Sequence, residues 1–355
     1  MPDLNDTILD RIVLHHMRVL AVGNKTARAA RKLLREAHAD IVERLMGRLE
    51  KAAELGYDTG PVTTRRLQKL ESAFNAMQKE SASEAVSLIR REAVDVGIDE
   101  TQFQRHLFAG EMPVHYDMTL PATSTVRAAV TMQPFGGKTM AVYARDLSQT
   151  VQRRFAQQLR ISLVNGETIP QLVRRIRGTR AGGFRDGILG WQRWQAEALA
   201  RTSVNHASTQ ARMLTYRENA DLIKGVTWVA TLDTRTCLQC ANLDNRRWGL
   251  EESHITTPAH INCRCTLAPV TRSWREMGYD IDEVDAGRAT MNGHIPKSRS
   301  YPEWLKNQTS STQREALGPA RYARYKAGKE DVSEFVNRQG RTLTLDELRR
   351  REERG

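Results

Sequence analysis

The sequence predicts a mainly α-helical protein with one small β element, and three observations lead to this fold class. Apolar residues recur every three, four or seven positions over most of the chain. Alternating, β-branched stretches occur around residues 225–233 and 265–270. All four cysteines lie between or beside these stretches, within residues 237–265. We therefore expect a long N-terminal helical hairpin, an α+β core domain with a cysteine-rich module of the zinc type, and an irregular, partly helical C-terminal tail.

Two long helices are predicted for the N-terminal region. Apolar residues recur at helical spacing over residues 4–55, and a second run of this kind begins after Pro61. The sequence GYDTGP between the two runs is expected to end the first helix, because glycine and proline interrupt helices. The end of the second is expected at Gly97, Gly110 and Pro113.

Heptad-like spacing predicts that these two helices pair as an antiparallel hairpin. The predicted pairing positions are Leu34, Ile41, Leu45, Leu67, Leu70, Phe74 and Met77. Two helices enclose little core of their own and tend to pack on a partner. The apolar pattern continues past the pairing region, and the residues expected to need another surface are Ile8, Ile12, Val19 and Leu20.

The remainder of the chain divides by composition. Helical patterns recur over residues 124–132, 139–164, 168–177 and 190–219. Beyond residue 276 the sequence is polar and glycine-punctuated, with helical pieces near 302–327 and 345–353. The division expected from these features is a docking hairpin over residues 1–112, a core domain over 113–275 with the cysteine-rich module at about 225–270, and a tail over 276–355.

Charge suggests one class of partner. Lys and Arg exceed Asp and Glu by 54 to 42, which gives a formal net charge of +12. A cationic surface attracts polyanions such as double-stranded DNA. Excess Lys and Arg on solvated helix faces is the alternative explanation. The candidate DNA contacts are Lys25, Arg28, Lys32 and Arg35 on one helical face, and Arg174, Arg175, Arg177, Arg180 and Arg185 at a glycine loop expected to be flexible.

No membrane association is expected from the sequence. The longest apolar stretch near the N terminus contains Asp10, Arg11 and Arg18, so it is neither a signal peptide nor a span of about 20 apolar residues. Cysteines in a protein made in a reducing cytosol hold metal more often than they form disulfides.

The cysteine cluster predicts a structural zinc site with five candidate ligands. Cys237 and Cys240 form C-x-x-C after a predicted strand, a spacing that brings two thiolates to one tetrahedral ion. His260, Cys263 and Cys265 follow, and structural zinc takes four ligands. The choice lies between four cysteines and three cysteines with His260. Since alternate residues of an extended chain point to opposite sides, His260 is expected to replace Cys263 or Cys265.

Two other roles of the cysteines remain as alternatives. A dithiol redox centre is expected in a thioredoxin-like βαβ setting, which the pattern lacks. A catalytic cysteine needs a base and an orienting partner that this polar segment does not supply. Unmetallated thiols that pack or cross-link are the leading competitor to zinc. Asp233 and Arg235 are expected to satisfy backbone groups or each other as turn residues.

The motifs from about 190 to 270 resemble the head morphogenesis domain of the phage Mu F-like minor head proteins. The shared pattern is an Ala-Arg-Thr helix, a Trp-bearing strand, D-x-R-T-C-x-x-C-x-x-L-D and P-x-H-x-x-C-R-C. The positions that carry it are Ala200, Arg201, Thr202, Trp228, Asp233, Arg235, Thr236, Cys237, Cys240, Leu243, Asp244, Pro258, His260, Cys263, Arg264 and Cys265. The segment YPEWLKNQTSSTQREALG resembles the C-terminal part of many such proteins.

The resemblance implies a minor capsid protein of a tailed bacteriophage or prophage. Such a protein is made in the bacterial cytoplasm and enters the virion, where it associates with the portal protein or the major capsid protein and assists head assembly and DNA packaging or ejection. No catalytic activity is implied. The competing hypothesis is a zinc-stapled nucleic-acid-binding protein or HNH-like nuclease, because His254 and His260 accompany the paired cysteines.

Overall fold

The computed structural model describes residues 4–54, 61–112, 115–273, 275–278, 287–290, 293–296, 300–337 and 339–353. Its helices are α1 (Leu4–Glu54), α2 (Pro61–Glu111), α3 (Thr123–Met132), α4 (Met140–Val164), α5 (Ile169–Arg177), α6 (Ile188–Glu218), α7 (Leu238–Leu243), α8 (Tyr301–Lys306), α9 (Ser310–Leu317), α10 (Pro319–Lys326) and α11 (Leu345–Glu352). A 3-10 helix spans Val332–Phe335, and the strands are β1 (Ile223–Val229), β2 (Arg247–Gly249), β3 (Thr266–Thr271), β4 (Gly287–Thr290) and β5 (Gly293–Pro296).

The predicted fold class is confirmed. Helices dominate the described residues, and a three-stranded antiparallel sheet of order β2-β1-β3 forms the small β element. In the register, Val226 of β1 lies opposite Trp248 of β2 and Pro269 of β3. Strands β4 and β5 pair separately.

The helix breaks expected from the sequence have different outcomes. Gly97 does not end the second helix, because α2 continues to Glu111. A helical glycine costs only about 1 kcal/mol relative to alanine, and its buried neighbours Val94 and Val96 offset that cost. The break at 56–60 and Pro113 lie outside the described residues.

The chain forms two compact units, each built from segments that are distant along the sequence. The first unit contains Met1–Val19, Gly97–Val126 and Ser208–Gly355, and the second contains Leu20–Val96 and Arg127–Ala207. Helices α1, α2 and α6 therefore contribute residues to both units. The three consecutive segments expected from the sequence stay a prediction.

The core of the first unit includes the start of α1. Ile8 and Ile12 are fully buried in the same apolar cluster as Phe108 of α2 and Trp228 of β1. Val19 is also buried. Ile8 and Ile12 therefore find within the chain the additional surface that they were expected to need, while Leu20 is only half-buried and docking of this region on the portal or capsid stays a prediction.

The core of the second unit contains the predicted hairpin positions. Ile41 and Leu45 of α1 share a buried cluster with Leu70 and Phe74 of α2. The cluster also contains residues of α4, α5 and α6, so the hairpin is not isolated. Phe74 stacks on Phe155 of α4 with a ring-centroid distance of 3.7 Å.

The described part of the C-terminal tail consists of short helices around a small apolar core in the first unit. Tyr301 and Trp304 of α8 are buried with Leu232 and with Ala241 of α7. The Asp244 carboxylate accepts hydrogen bonds from the amides of Ala230 at 2.8 Å and Tyr301 at 2.9 Å. The tail thus attaches to the cysteine-rich module.

Candidate metal centre

The first cysteine pair lies at the start of a short helix. Cys237 is the N-cap of α7, with extended backbone angles, and its Sγ accepts a hydrogen bond from the Cys240 amide at 3.4 Å. The helical turn brings the two sulfurs to the same side of the chain. This local geometry explains why C-x-x-C after a strand forms a chelating pair.

The second half of the cluster comes from a turn before β3. The Cys263 amide donates to the His260 carbonyl at 3.1 Å, and Asn262 between them has a positive φ of 61°. Asparagine tolerates this left-handed conformation better than most residues. Because the chain is still turning at Cys263 and becomes a strand only at Thr266, the alternation of an extended chain does not apply to Cys265.

Five side chains form two groups that share one cysteine. Donor atoms of Cys237, Cys240 and His260 all lie within 4.8 Å of one another, and so do those of Cys240, Cys263 and Cys265. Both cysteines of the C-x-C pair therefore reach the cluster. The C-x-C spacing alone therefore does not exclude Cys263 or Cys265, and whether His260 replaces one of them as a ligand stays a prediction.

The distances suit a tetrahedral ion. Cys240 Sγ lies 3.8 Å from Cys263 Sγ, and His260 Nε2 lies 3.2 Å from Cys237 Sγ and 3.3 Å from Cys240 Sγ. On one zinc ion with Zn–S bonds of about 2.3 Å, two sulfurs lie about 3.8 Å apart, and a sulfur and an imidazole nitrogen lie about 3.5 Å apart. These three pairs are within a few tenths of an ångström of the spacing on zinc, but no four of the five donors all lie within 4.8 Å of one another, so closing a four-ligand shell needs a larger movement of at least one side chain.

The imidazole of His260 is oriented as a ligand. Its Nδ1 lies 2.9 Å from the carbonyl oxygen of Ile261, to which it donates. In the neutral ring this leaves the lone pair on Nε2, the atom that faces the cysteines. Histidine ligands of metals usually donate their other ring nitrogen to a carbonyl or carboxylate in this way.

The electrostatics of the sulfurs favour a bound cation. A hydrogen bond from Cys240, with help from His260, lowers the pKa of Cys237 to about 4. Hydrogen bonds with Cys237 and Cys263 raise the pKa of His260 to about 11. Hydrogen bonds with Cys237, Cys263 and Cys265 and burial raise the pKa of Cys240, and the negative charge of Cys265 adds to this shift. A divalent cation removes the repulsion between neighbouring thiolates and allows them to coexist.

A salt bridge holds the two halves of the cluster together. Arg264, between the two C-x-C cysteines, binds both carboxylate oxygens of Asp233, with one distance of 2.7 Å. Burial opposes ionisation of Asp233, but this guanidinium lowers its pKa overall. Asp233 also accepts from the Arg235 amide at 3.0 Å. Asp233 therefore has a second role beside the expected one in the turn, because it also forms a salt bridge with Arg264, 31 positions away.

Two residues of the long helices, neither of them singled out by the sequence pattern, hold the backbone of the second half of the cluster in place. The Nε2 of His16 in α1 donates to the Arg264 carbonyl at 2.8 Å. Arg212 of α6 donates to the Leu267 carbonyl at 2.8 Å, and its guanidinium pairs with Glu100 of α2 at 2.9 Å. The side chains of Arg212 and Glu100 are both fully buried. Helices α1, α2 and α6 therefore support the strand that follows Cys265.

His254 does not belong to the cluster. It stacks on Trp248 at a centroid distance of 5.1 Å, and its Nδ1 lies 2.7 Å from the Glu252 carbonyl oxygen. After Cys265 the chain continues as strand β3, where an HNH-type site needs a helix. The nuclease alternative gains no support from this arrangement.

All nine candidate DNA contacts are exposed and belong to the second unit. Arg175 is engaged, since its Nε donates to Glu167 at 2.7 Å. Arg177 stacks on Phe184 with a distance of 4.7 Å to the ring centroid. The positions that remain open to a phosphate are Lys25, Arg28, Lys32, Arg35, Arg174, Arg180 and Arg185.

The glycine loop is more ordered than the sequence suggested. The Asp186 carboxylate accepts from the Thr179 amide at 2.8 Å and from its hydroxyl at 2.7 Å. A Cβ on Gly187 would lie 2.2 Å from the Gly178 nitrogen, so the close approach of the two loop ends requires glycine. The basic residues of this loop are thus held in place rather than carried by a flexible segment.

Arg193, which the sequence pattern did not single out, connects the two basic groups. It donates to the Phe184 carbonyl of the loop at 2.7 Å and lies 3.0 Å from His38 Nδ1 in α1. Burial lowers the pKa of His38 to about 3, so the ring is neutral and accepts this hydrogen bond. Burial and the nearby charges of Arg31 and Arg35 lower the pKa of Arg193. Arg193 therefore links the glycine loop to α1 beside Arg31 and Arg35.

Residues 153–268 match the family model described as Phage Mu protein F like protein. The match covers about a third of the chain and includes all five members of the cysteine-histidine cluster. No curated protein and no solved structure has a significant match. Among the described helices, none combines the length and apolar character needed to cross a lipid bilayer.

Proposed function

Since the chain carries a domain of the phage Mu F-like head morphogenesis family, we propose that it is a minor head protein of a tailed phage or prophage. In this proposal it is made in the bacterial cytoplasm, joins the head at the portal or the inner capsid, and assists head assembly and DNA packaging or ejection. It acts by binding and has no catalytic role. The observation that carries the proposal is the family match across the cysteine-histidine cluster.

The cluster holds one structural zinc ion in this proposal. A donor set of sulfurs and one imidazole, with Cys240, Cys263 and Cys265 buried, suits a closed tetrahedral site. The ion would connect α7 to the turn before β3, so it would act as a cross-link that stabilises this region locally. We expect about one equivalent of zinc per chain from protein purified under reducing conditions without chelator.

Substitution of single ligands separates the two possible donor sets. Cys240→Ser removes the residue shared by both groups and should abolish zinc binding, while His260→Ala should abolish it only if His260 is a ligand. His254→Ala is the matched control, because it removes an imidazole from the same module without touching the cluster. Full-length protein with far less than one zinc per chain, measured by elemental analysis, would refute the metal site.

Association with the head is tested in the phage itself. A tagged copy should appear in purified virions and co-purify with the portal protein or the major capsid protein of the same phage when the proteins are expressed together. Absence of the tagged, functional protein from purified heads would contradict the proposal. Detection of the protein at the tail alone would also contradict it.

Direct DNA contact rests on the exposed cations of the second unit. Binding through phosphates is sequence-independent and weakens steeply with salt. The double variant Lys32→Gln/Arg35→Gln should reduce the slope of log affinity against log salt by about 2, since each phosphate contact contributes about 0.9. Arg48→Gln/Lys51→Gln removes the same charge from exposed positions of α1 outside the group and is the control. Equal slopes for both variants would contradict the contact.

Lack of nuclease activity is tested with duplex DNA and magnesium or manganese. Cleavage that depends on the added metal and disappears in His260→Ala would replace the binding proposal with a nuclease. We expect intact DNA over the same period in which a control nuclease degrades it.

A further inference from the structure

A groove on the second unit lies between α2 and α4, far from the cysteine cluster in sequence. Its volume is about 600 Å³, and all the described residues that line it belong to α2, α3 or α4. The stacked rings of Phe74 and Phe155 close α2 against α4 at one end. From there the groove extends along both helices toward Arg90 and Ala141.

The lining positions follow a helical repeat on both sides. On α2 they include Lys79, Ser83, Val86 and Arg90, with steps of four, three and four residues. On α4 the positions 141, 145, 148 and 152 follow the same steps. This seven-residue repeat is the pattern by which one helix receives the side chains of another. Two neighbouring helices that both present this repeat form a groove in which a third helix can pack.

Many of the side chains that line the groove are small, beside Met140, two glutamines and three basic residues. Ala82, Ser83 and Ser87 of α2 face Ala144 and Ser148 of α4. Small residues allow a helix backbone to approach closely, whereas large side chains would fill the space from within. The eleven-residue step from Lys79 to Arg90 corresponds to about 16 Å of helix, which is three turns of a bound helix.

The charges of the groove are of one sign. Lys79 and Arg90 mark its two ends on α2, and Arg145 lies on α4 between them. None of the three forms an ion pair with another residue in the described ranges, and no acidic residue is among those that line the groove. Unpaired cations beside small apolar surface are complementary to an amphipathic helix with acidic flanks.

We propose that this groove binds an amphipathic helix of a partner protein, with small or medium apolar residues on one face and acidic residues beside them. A second copy of this chain is a poorer occupant, because its net charge of +12 opposes self-association. Nucleic acid is a poorer occupant too, because the apolar side chains of Val86, Ala141 and Ala144 between the cations offer its phosphates no partner. The inference goes beyond the proposed role in the head and does not depend on it.

Three labelled synthetic peptides of 14 residues test the proposal with the full-length protein. One is an amphipathic helix with leucine and alanine at heptad spacing and glutamate flanks, the second carries lysine flanks, and the third is a scrambled form of the first. We expect the acidic peptide alone to raise fluorescence anisotropy on binding. Hydrogen exchange should then slow in residues 79–90 and 141–152.

Charge reversal identifies the site. Lys79→Glu/Arg90→Glu/Arg145→Glu should weaken binding of the acidic peptide by about eightfold or more, since three exposed ion pairs are lost and each contributes about a factor of two. Arg91→Glu/Arg160→Glu is the control, with exposed arginines on the same two helices outside the groove.

Four outcomes would overturn the proposal. They are no binding of the acidic peptide, equal binding of the acidic and basic peptides, an equal loss in the control variant, and displacement of the peptide by inorganic phosphate or a short oligonucleotide that gives the same protection. The last outcome would make the groove an anion site.

Discussion

Replacement of Arg212 by methionine tests the support of the metal centre by the long helices. The guanidinium is fully buried and donates to the Glu100 carboxylate, the Thr266 hydroxyl and the Leu267 carbonyl. Methionine fills similar space but provides no donor. Glu100 then keeps hydrogen bonds from Ser208 and Gln104, both at 2.6 Å, without a paired guanidinium.

The expected cost is large because Glu100 loses the guanidinium that pairs with it and keeps only the imidazole of His15, 3.1 Å away, beside its two neutral donors. Such a removal destabilises a protein by about 3–5 kcal/mol. For the first unit, of about 200 residues, this corresponds to a fall in Tm of about 10 °C. In Arg212→Met/Glu100→Met both charges are gone, and most of the stability should return, since buried ion pairs are often replaceable by apolar residues.

The direction in which stability changes with pH tests the role assigned to the Arg212–Glu100 pair. In the unmodified protein burial opposes ionisation, but Arg212 lowers the pKa of Glu100 below its ordinary value. Its stabilising contribution is therefore present above the unfolded pKa of about 4.3 and is lost as pH falls through the lower folded value. In Arg212→Met only His15, Ser208 and Gln104 still favour the carboxylate against burial, so the folded pKa of Glu100 rises and the stability advantage of the unmodified protein over the variant grows with pH. The difference between the two proteins should widen from about pH 5.5 to about pH 8.

Urea unfolding at both pH values measures these quantities, with zinc present throughout. Arg217→Met is the matched control, because it removes an exposed arginine from the same helix, and it should cost less than about 0.5 kcal/mol. A decrease in the free energy of unfolding below about 1 kcal/mol in Arg212→Met, or a decrease that is the same at about pH 5.5 and about pH 8, would refute the reasoning.

Three further predictions concern other parts of the fold. Asp244→Ala removes the carboxylate that accepts from the amides of Ala230 and Tyr301, which should cost about 2–4 kcal/mol and speed hydrogen exchange in α8 before the rest of the first unit. Gly187→Ala should destabilise the second unit by about 1–3 kcal/mol in calorimetry through its backbone clash, whereas Gly47→Ala, with open space around it, should stabilise the protein slightly. Phe155→Ala removes a stacked core ring and should cost about 3–5 kcal/mol by urea unfolding, and a loss below about 1 kcal/mol would contradict the assigned core.

The helices were predictable because their signal is local. Apolar spacing located α1, α4 and α6 to within a few residues of their observed ends. The residues that cover an apolar helix face cannot be identified from the local sequence, because they come from elsewhere in the chain. Ile8 packs in a cluster with Trp228, which is more than 200 positions away, so the sequence pattern showed an unsatisfied face but not its partner.

Helix α6 shows a second limit of periodicity. It was predicted from the pattern over 190–219, but the pattern gave no indication that polar residues of its central part are buried. The buried polar residues are Thr202, Ser203, Asn205, His206, Ser208, Thr209, Arg212 and Thr215. Hydrophobic periodicity assigns polar residues to solvent, and it fails where they hydrogen-bond inside the protein, as Arg212 does with Glu100 across 112 positions.

The candidate site was predictable in its residues and not in its geometry. Residue type and spacing sufficed to select the cysteines and His260, since few other patterns combine C-x-x-C with a second such group. The argument against the C-x-C pair assumed an extended chain, and the turn at Asn262 removes that assumption. His16 could not be selected, because its single contact with the module depends on how α1 lies beside β3.

Removal of residues 1–112 is the sharpest test of whether the N-terminal helices are a separable docking arm. The truncation removes Ile8 and Ile12 from the core of the first unit, His16 from the Arg264 carbonyl, and Glu100 from Arg212. Arg212 would then be a buried charge with no carboxylate, and the turn that carries Cys263 would lose its support. We expect residues 113–355 to be insoluble or unfolded and to hold zinc weakly. A soluble fragment with cooperative unfolding and one zinc per chain would show that the module folds without these helices, and would restore the view of residues 1–112 as an independent arm.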